Sequence, residues 1–160
     1  MSKYLDTTPS AFPNVPVDVG SATTPVQENA VAVQYNSWAG KKQTAASGGS
    51  YRTSGTLGAA ARFDFSGSAV TFVTARGPGY GTVNIGIDGE YVATNLDLYA
   101  PTQQWKYKIN YPLANGFHTI EILPTHTKNA SSSGYGVVLD AFGRILHTNG
   151  LGLEKSQPIT

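Results

Sequence analysis

The segment TVNIGIDGEYVA, residues 82–93, shows most directly how this chain folds. Within it, every second residue from 83 to 87 is large and aliphatic, which is the pattern of a strand with one buried face. Asp88-Gly89 follows, a pair that readily adopts positive φ in the two-residue turn of a β-hairpin. Extended structure resumes over residues 91–93, so the segment predicts an antiparallel hairpin.

The same alternation recurs on both sides of the hairpin and predicts further strands. Aromatic and β-branched residues, which favour strands, occupy many of the apolar positions. A turn is predicted at Asn115-Gly116, between two of these strands. About eight strands result, with no segment of convincing helical period. The other predicted strands lie within residues 31–36, 63–65, 70–74, 105–111, 117–123 and 136–146.

Length and composition support an all-β chain. The 160 residues suffice for one domain, and 18 Gly and 9 Pro supply the turns between short strands. We therefore predict an all-β, antiparallel β-sandwich or jelly roll over residues 31–148. An extended Pro-rich N-terminal arm over residues 1–30 precedes this domain, and a C-terminal tail over residues 149–160 follows it.

The charge balance argues against several classes of function. Eleven Lys and Arg against ten Asp and Glu leave a net charge of +1, so no basic surface is expected to bind nucleic acid. The absence of Cys removes disulfides, thiol catalysis and Cys-ligated zinc. Residues 1–15 contain no continuous apolar stretch, so we expect neither a signal peptide nor insertion into a membrane.

Six short segments carry a resemblance to a known family. In chain order they are SGGSYRTSG at 47–55, FDFSGSAVTFV at 63–73, RGPGYGTVNIGIDG at 76–89, LDLYAP at 96–101, GFHTIEI at 116–122 and TKNASSSGYGVVLDAF at 127–142. Together they resemble a β-sandwich module found in bacterial surface and polysaccharide-degrading proteins, within the galactose-binding-like jelly rolls. The resemblance covers about residues 31–146 and implies a non-catalytic fold that often binds carbohydrate.

Aromatic residues in predicted loops provide candidates for binding a sugar. Aromatic faces cover the apolar C–H patches of a pyranose, while amide and charged groups bind its hydroxyls. The alternative function of such loop aromatics is to cover the end of the sandwich or to form a subunit contact. In contrast, Phe63, Phe65, Phe72 and Phe142 lie within predicted strands and are assigned to the core. The candidate glycan-binding residues are Tyr80, Tyr99, Trp105 and Tyr135, with Arg76, Gln103, Lys128 and Asn129 nearby in sequence.

Two carboxylates stand apart from the expected solvent-facing positions. Asp97 follows a predicted strand, and Asp140 interrupts the apolar run VVLDAF at 137–142, where a charged group must be paired or hydrogen-bonded if it is buried. Asp140 is either a buried structural anchor or a calcium ligand, since jelly-roll modules of the resembled kind often carry structural calcium. No other cofactor is expected.

No arrangement of residues indicates catalysis. The sequence has no Gly-x-Ser-x-Gly elbow of the kind that presents a nucleophilic Ser. His118, His126 and His147 are too widely spaced for a local metal motif and are interpreted as surface residues. We therefore expect no enzyme activity and assign no catalytic residue.

These observations lead to two predictions of function. The first is a surface component of a larger assembly, namely a phage virion decoration or host-adsorption protein that is assembled in the host cytoplasm. Its arm, residues 1–30, would bind further copies of the chain in a homo-oligomer, or a capsid or tail lattice protein, and the module would contact a cell-surface glycan. The alternative is an extracellular glycan-binding module of a secreted or cell-surface polysaccharide-degrading system.

Overall fold

The structure, a computed structural model, describes residues 26–30 and 32–145. Within these ranges the chain is built almost entirely of strands, joined by turns and one short 3-10 turn at Ser47–Gly49. The all-β prediction is therefore confirmed. The strands are β1 (Val26–Gln27), β2 (Val33–Asn36), β3 (Ala39–Lys42), β4 (Ser50–Ser54), β5 (Ala60–Arg76), β6 (Thr82–Ile87), β7 (Glu90–Asp97), β8 (Gln104–Pro124), β9 (Val137–Leu139) and β10 (Ala141–Ile145).

The strands form two sheets in which every strand pairing is antiparallel. The larger sheet has seven strands in the order β1-β10-β5-β8-β6-β7, and β2 pairs with the first residues of β5. The smaller sheet has the order β3-β4-β9. Residues 26–27, which the sequence analysis placed in the arm, pair with β10 in the larger sheet. Residues 1–25 of the predicted arm and the predicted tail lie outside the described residues.

Two very long strands form the centre of the larger sheet. Each of these strands was predicted as two shorter strands, and a turn was predicted at Asn115-Gly116. Both predictions are wrong. β5 runs for 17 residues and β8 for 21, and they pair along most of their length. Gly116 lies within β8 directly opposite Gly67 of β5, where the pairing register shifts. This register shift is a β-bulge, which bends a strand without ending it.

The bend brings the two halves of β5 against each other. Phe63 lies in the first half of β5 and Phe72 in the second half. Phe142 of β10 pairs with Phe72 in the sheet, and its ring stacks on that of Phe63 with centroids 4.8 Å apart. The predicted core aromatics are therefore confirmed, and they pack across the bend. A straight strand of this length would instead span about 56 Å at ~3.3 Å per residue.

The apolar run at 136–146 was predicted as one strand, and the structure divides it at Asp140. The three residues before Asp140 form β9 in the smaller sheet, and the five after it form β10 in the larger sheet. Val137 and Phe142, on either side of this switch, are both fully buried. The switch therefore explains why the run is apolar almost throughout: it crosses the core from one sheet to the other.

The predicted hairpin over residues 82–93 is confirmed. Ile87 pairs with Glu90, and Asp88 and Gly89 between them have φ values of 53° and 85°. Two positive φ angles are what a type I′ turn requires, because this turn matches the right-handed twist of the two strands. The hairpin turn lies beside β8, since the backbone N–H of Asp88 donates to the carbonyl of Thr119 at 2.8 Å.

The bend and the hairpin turn lie at one end of the sandwich, which we call the bend end. Three loops meet at the opposite end, which we call the loop end: residues 77–81, 98–103 and 125–136. Backbone hydrogen bonds join them, from Gly77 N–H to the Leu98 carbonyl at 3.0 Å and from Gly81 N–H to the Gly136 carbonyl at 2.8 Å. Because β5 and β8 bend, both of their ends approach this loop end.

We predict that the bend tolerates no side chain at Gly67. A Cβ there would collide with the backbone carbonyl of Ile145, which cannot move without disturbing β10. Gly67→Ala should therefore lower the free energy of unfolding by about 1–3 kcal/mol, as forced overpacking does. Urea unfolding followed by tryptophan fluorescence measures the change.

The matched control is Gly40→Ala in the exposed strand β3, where nothing lies within 4 Å of the new Cβ. That substitution should change the free energy of unfolding by no more than about 0.5 kcal/mol. Equal losses in both variants would contradict the proposed role of Gly67 in the bend.

Candidate functional site

The structure brings the eight predicted glycan-binding residues to the loop end, in two groups. The first group surrounds Tyr80, whose hydroxyl accepts a hydrogen bond from Gln103 Nε2 at 2.8 Å. Burial raises the pKa of Tyr80, and the Gln103 hydrogen bond offsets part of this effect. Arg76 donates to the backbone carbonyl of Tyr99 at 3.2 Å, and its guanidinium lies 4.9 Å from the ring centre of Tyr107. Aromatic rings, an amide and a cation are thus held together by direct contacts.

Trp105 extends this first group along the first residues of β8. Its ring packs on that of Tyr51 from β4, with centroids 5.1 Å apart and the planes tilted by 53°. Trp105 is half-buried, so part of the indole still faces solvent. A tilted aromatic pair restricts both side chains, which lowers the entropy that a bound ligand would otherwise cost.

The second group lies on the loop over residues 125–136. Tyr135 stacks on His126, with ring centroids 4.1 Å apart and planes within 18° of parallel. The ammonium of Lys128 lies 5.8 Å from the centre of the Tyr135 ring and donates to the carbonyl of Ser132 at 3.0 Å. The Tyr135 side chain remains exposed. This group therefore presents an oriented aromatic ring beside a cation.

Tyr80 connects the two groups. Tyr51 lies close enough to Tyr80 to raise its pKa slightly further. On the other side, Tyr80 is bridged to Gly136, the residue after Tyr135, and a Cβ at Gly136 would lie 3.6 Å from the Tyr80 ring. Trp105, Tyr51, Tyr80 and Tyr135 thus follow one another across the loop end, and we call these four residues the aromatic band.

Asn129 and Asp97 hold the loops rather than facing outward. Asp97 accepts from the backbone N–H of Tyr99 at 2.9 Å through one oxygen and from Asn129 Nδ2 at 2.8 Å through the other. The amide oxygen of Asn129 in turn accepts from Ser131 N–H at 2.8 Å. Asn129 was predicted to bind a glycan, but its side-chain amide already has two partners within the chain, Asp97 and Ser131. Asp97, which the sequence left unexplained, joins two loops.

Ser132 fixes the position of the loop beneath Tyr80. It is buried, and its hydroxyl lies 2.7 Å from the Tyr80 carbonyl and 3.1 Å from the Pro78 carbonyl. Composition alone does not show which residue of the stretch Ser131–Ser133 turns inward. The aromatic band therefore rests on a loop that is hydrogen-bonded to its neighbour.

Sequence reasoning missed three residues of this site. Tyr51 lies on a strand that belongs to the other sheet, so nothing near Trp105 in the sequence points to it. Tyr107 alternates within β8 and was counted as an ordinary strand residue. His126 was interpreted as a surface residue, and it is exposed, but its ring stacks on that of Tyr135, nine residues away, a contact that no sequence pattern reveals.

Asp140 lies at a second group of polar residues, near β1. It is fully buried, and one carboxylate oxygen accepts from the backbone N–H of Ser47 at 3.0 Å. Burial raises the pKa of Asp140 to about 6, the Ser47 hydrogen bond lowers it, and the nearby Glu28 carboxylate raises it. Glu28 is itself buried and accepts from the Ser50 hydroxyl at 2.6 Å. Two buried carboxylates thus lie close together.

Each of these side chains has one oxygen without a hydrogen-bond partner. Oδ1 of Asp140, Oε1 of Glu28 and Oε1 of Gln27 are all buried and unpaired among the described residues. Gln27 belongs to the same group, because its Nε2 donates to the hydroxyl of Ser47 at 3.1 Å. A Cβ at Gly48 would lie 2.7 Å from Gln27 Oε1, so glycine at this position leaves room for the oxygen.

These three oxygens fit the preferences of calcium. Calcium takes carboxylate and amide oxygens, and two carboxylates would balance its charge. The described part of the chain holds no cluster of three or more His, Cys, Asp and Glu suited to a metal. The donor set found here instead contains two carboxylates and one amide, which is compatible with calcium but not with metals that prefer nitrogen or sulfur.

His118 was interpreted as a surface residue, and the structure corrects this. It is buried, and its two ring nitrogens lie 2.6 Å from Asp88 Oδ2 and 2.6 Å from the carbonyl of Ala114. Strand alternation correctly placed it on β8 but did not show which face is covered by the hairpin turn. His147 lies outside the described residues.

Comparison with known proteins supports the fold. No family model and no curated protein matches this chain. Within the described ranges, no helix is long and apolar enough to span a membrane. Several solved structures do match, all at low sequence identity.

Three of these solved structures are similar over most of this chain. A Paenibacillus xanthan lyase has a TM-score of 0.60 at 20% identity, over 78% of this chain and 13% of that one. A two-domain esterase active on acetylated mannans, co-crystallised with mannopentaose, has a TM-score of 0.60 at 12% identity. The match covers 82% of this chain and 39% of the esterase. A family 35 carbohydrate binding module from Clostridium thermocellum has a TM-score of 0.51 at 13% identity. The match covers 78% of this chain and 99% of that module. This chain therefore spans only part of the two enzymes but nearly all of the binding module, and it shares a β-sandwich fold with them.

Proposed function

We propose that this chain is a non-catalytic carbohydrate-binding module that holds glycan at the loop end. The observation that carries the proposal is the aromatic band, which lies beside Arg76 and Lys128 on the fold of a binding module. Tyrosine and tryptophan faces cover the C–H surface of a sugar, and the nearby cations donate hydrogen bonds to its hydroxyls. The ring contacts within the band orient these side chains before a ligand arrives.

The state of the carboxylates supports a role without catalysis. Hydrolysis of a glycosidic bond requires two carboxyl groups that face the bond from opposite sides. At the loop end, both oxygens of Asp97 are engaged by the backbone of Tyr99 and by Asn129. Asp140 is fully buried and accepts from the backbone N–H of Ser47, so its carboxylate does not face solvent. No pair of carboxylates is available at the loop end among the described residues.

The setting that we propose is an extracellular polysaccharide-degrading system. The esterase and the lyase described above are carbohydrate-active enzymes, and this chain matches only a portion of each. They favour a glycan-binding module over the virion decoration protein that the sequence also suggested. The homo-oligomer through residues 1–30 stays a prediction, and light scattering of the full chain with and without that segment measures it.

We predict that the aromatic band determines glycan affinity. Tyr135→Ala and Trp105→Ala should each lower the affinity by about tenfold or more, because a ring that covers the sugar is a dominant contact. Binding is measured by calorimetry with the glycan that the wild-type chain prefers in a panel including mannopentaose and β-1,3-galactotriose. The free energy of unfolding of each variant shows whether the fold survives.

Tyr91→Ala is the matched control, because Tyr91 is 62% exposed but lies on β7 beside the hairpin turn. It should leave the affinity unchanged. If no glycan in the panel binds, or if the band variants bind as well as the Tyr91 variant does, the proposed function is wrong.

We further propose that calcium stabilises the module through Gln27, Glu28 and Asp140. The unpaired oxygens of these residues would hold the ion, which would neutralise two buried carboxylates and join β1 to the switch between β9 and β10. A buried carboxylate without a compensating partner costs several kcal/mol, so the ion would remove a large penalty. Its role would be structural, and we assign it no part in sugar binding.

Removal of calcium should lower the thermal stability of the chain. At a calcium concentration ~100 times its dissociation constant, binding contributes about 2.7 kcal/mol, which corresponds to roughly 5–10 °C in Tm for a domain of this size. Calorimetric scans with EDTA and after calcium is restored measure this shift, and magnesium serves as the control ion.

Asp140→Asn and Glu28→Gln retain the size of each side chain and should abolish the calcium-dependent part of the shift. A wild-type chain whose Tm is the same in EDTA and in calcium, with no calcium detected by elemental analysis, would leave Asp140 as a structural anchor only.

A further inference from the structure

A cavity of about 480 Å³ opens at the bend end, opposite the aromatic band. The paired residues 64–66 of β5 and 117–119 of β8, next to their glycine pair, line it together with Asp88 of the hairpin turn and Arg144 of β10. Its volume falls within the range of sites that bind small ligands, about 300–1,000 Å³. The proposed function does not use this cavity, and the sequence analysis assigned no site residue to it.

An exposed aromatic ring stands at this cavity. Phe117 follows the bend residue Gly116 and is 89% exposed, although phenylalanine is normally buried. Its neighbour His118 lies on the opposite face of β8 and is buried. The alternation of the strand therefore directs the Phe117 ring outward, where it covers nothing in the described part of the chain. A single exposed apolar residue is ordinary, but this one borders a cavity that also contains the charged groups of Asp64 and Arg144.

Two polar groups of the cavity retain unused hydrogen-bonding capacity. Oδ1 of Asp64 accepts from the Thr119 hydroxyl at 2.7 Å and from Arg62 Nε at 3.2 Å, and within the described ranges its Oδ2 has no partner. The Thr119 hydrogen bond lowers the pKa of Asp64, so the group is an acceptor at neutral pH. Arg144 is half-buried at the cavity wall, and no hydrogen bond or ion pair holds its guanidinium among residues 26–30 and 32–145.

The base of the cavity is rigid. Asp88 accepts from Thr119 N–H at 2.8 Å through Oδ1, and its Oδ2 lies 2.6 Å from the ring of His118. The other nitrogen of His118 lies 2.6 Å from the Ala114 carbonyl, so both ends of the imidazole are held. These contacts fix the hairpin turn against β8 and keep the cavity in shape before any ligand enters.

We propose that this cavity is a second carbohydrate site, which binds an uncharged pyranose. Phe117 would cover the C–H face of the sugar, while Asp64 Oδ2 accepts from one hydroxyl and Arg144 donates to a neighbouring one. An aromatic face beside one planar hydrogen-bond acceptor and one planar donor is the combination that binds a pyranose. The carboxylates of Asp64 and Asp88 are matched by the guanidinium groups of Arg62 and Arg144, so no net charge draws an anionic sugar to the site.

This second site goes beyond the proposed function and fails independently of it. Two glycan sites at opposite ends of one sandwich would let a single module contact two chains of a polysaccharide, or two segments of one chain. Simultaneous contact raises the apparent affinity for polymers over that for short oligosaccharides without any new contact. The loop end and the bend end can be disabled separately, because their residues do not overlap.

The experiment follows backbone amide shifts by NMR during titration with four neutral oligosaccharides and one acidic polymer. The probes are mannopentaose, cellopentaose, xylopentaose, β-1,3-galactotriose and polygalacturonate. We expect at least one neutral probe to shift the amides of residues 64–66 and 117–119. Phe117→Ala should weaken this binding about tenfold or more, as loss of a central aromatic contact does. Arg144→Gln should also weaken it, whereas Trp105→Ala should leave it unchanged.

Two controls separate recognition from folding. Leu57→Ala removes an apolar side chain that is 72% exposed and lies beside β4, outside the cavity, so it should not alter the titration. Phe117→Tyr keeps an aromatic face and should retain most of the binding. Unfolding measurements on Phe117→Ala should show no loss of stability, since the ring is exposed.

Three results would overturn the proposal. The first is the absence of shifts at residues 64–66 and 117–119 with every neutral probe. The second is a response to polygalacturonate alone, which would make the site one for acidic sugars. The third is a wild-type dimer in light scattering that Phe117→Ala converts to a monomer while no probe binds, which would make Phe117 a contact between copies. If the aromatic band variants bind glycan as well as the wild-type chain does, only the loop-end proposal is wrong.

Discussion

The absence of a side chain at Gly67, at the bend of β5, is the constraint on which the rest of this structure depends. The carbonyl of Ile145 occupies the space where a Cβ of Gly67 would lie, and β5 continues through the bend opposite Gly116 of β8. The bend places Phe63 against Phe142 and so closes the core. It also brings the ends of both long strands to the loop end. One local feature therefore determines where the core lies and where the loops meet.

The second constraint is the buried charge at the switch between β9 and β10. Asp140 interrupts an apolar run and lies next to Glu28, so two carboxylates are removed from water in one place. Hydrogen bonds from Ser47 and Ser50 satisfy only one oxygen of each. Apolar residues of similar size would often be more stable than such a pair. This buried charge is the observation behind the calcium site that we propose, and the pairing of β1 with β10 joins residues 26–27 to the larger sheet.

Sequence patterns identified what depends on local chemistry and missed what depends on distant contacts. The hairpin at Asp88-Gly89 and the core phenylalanines follow from turn preference and from alternation, and both were predicted. The supposed turn at Asn115-Gly116 was wrong because the same glycine that favours a turn also permits a β-bulge, and only its partner strand decides between them. The eight candidate glycan-binding residues were chosen by residue type and predicted loop position, whereas Tyr51 reaches the same end from the other sheet and has no local signal. The oxygens near Asp140 were missed for the same reason.

The two ends of the sandwich differ in how their side chains are held, and this difference determines which residues at each end can be substituted without disturbing the sheets. At the loop end, Ser132 and Asn129 donate hydrogen bonds and Asp97 accepts them, and these bonds shape loops that can change without disturbing the sheets. At the bend end, buried His118 holds the hairpin turn to β8, so its replacement would alter the sheet itself. Surface residues such as Phe117 are free of that restriction. Recognition at the bend end can therefore change only through a few exposed side chains, whereas the loop end can be rebuilt as a whole.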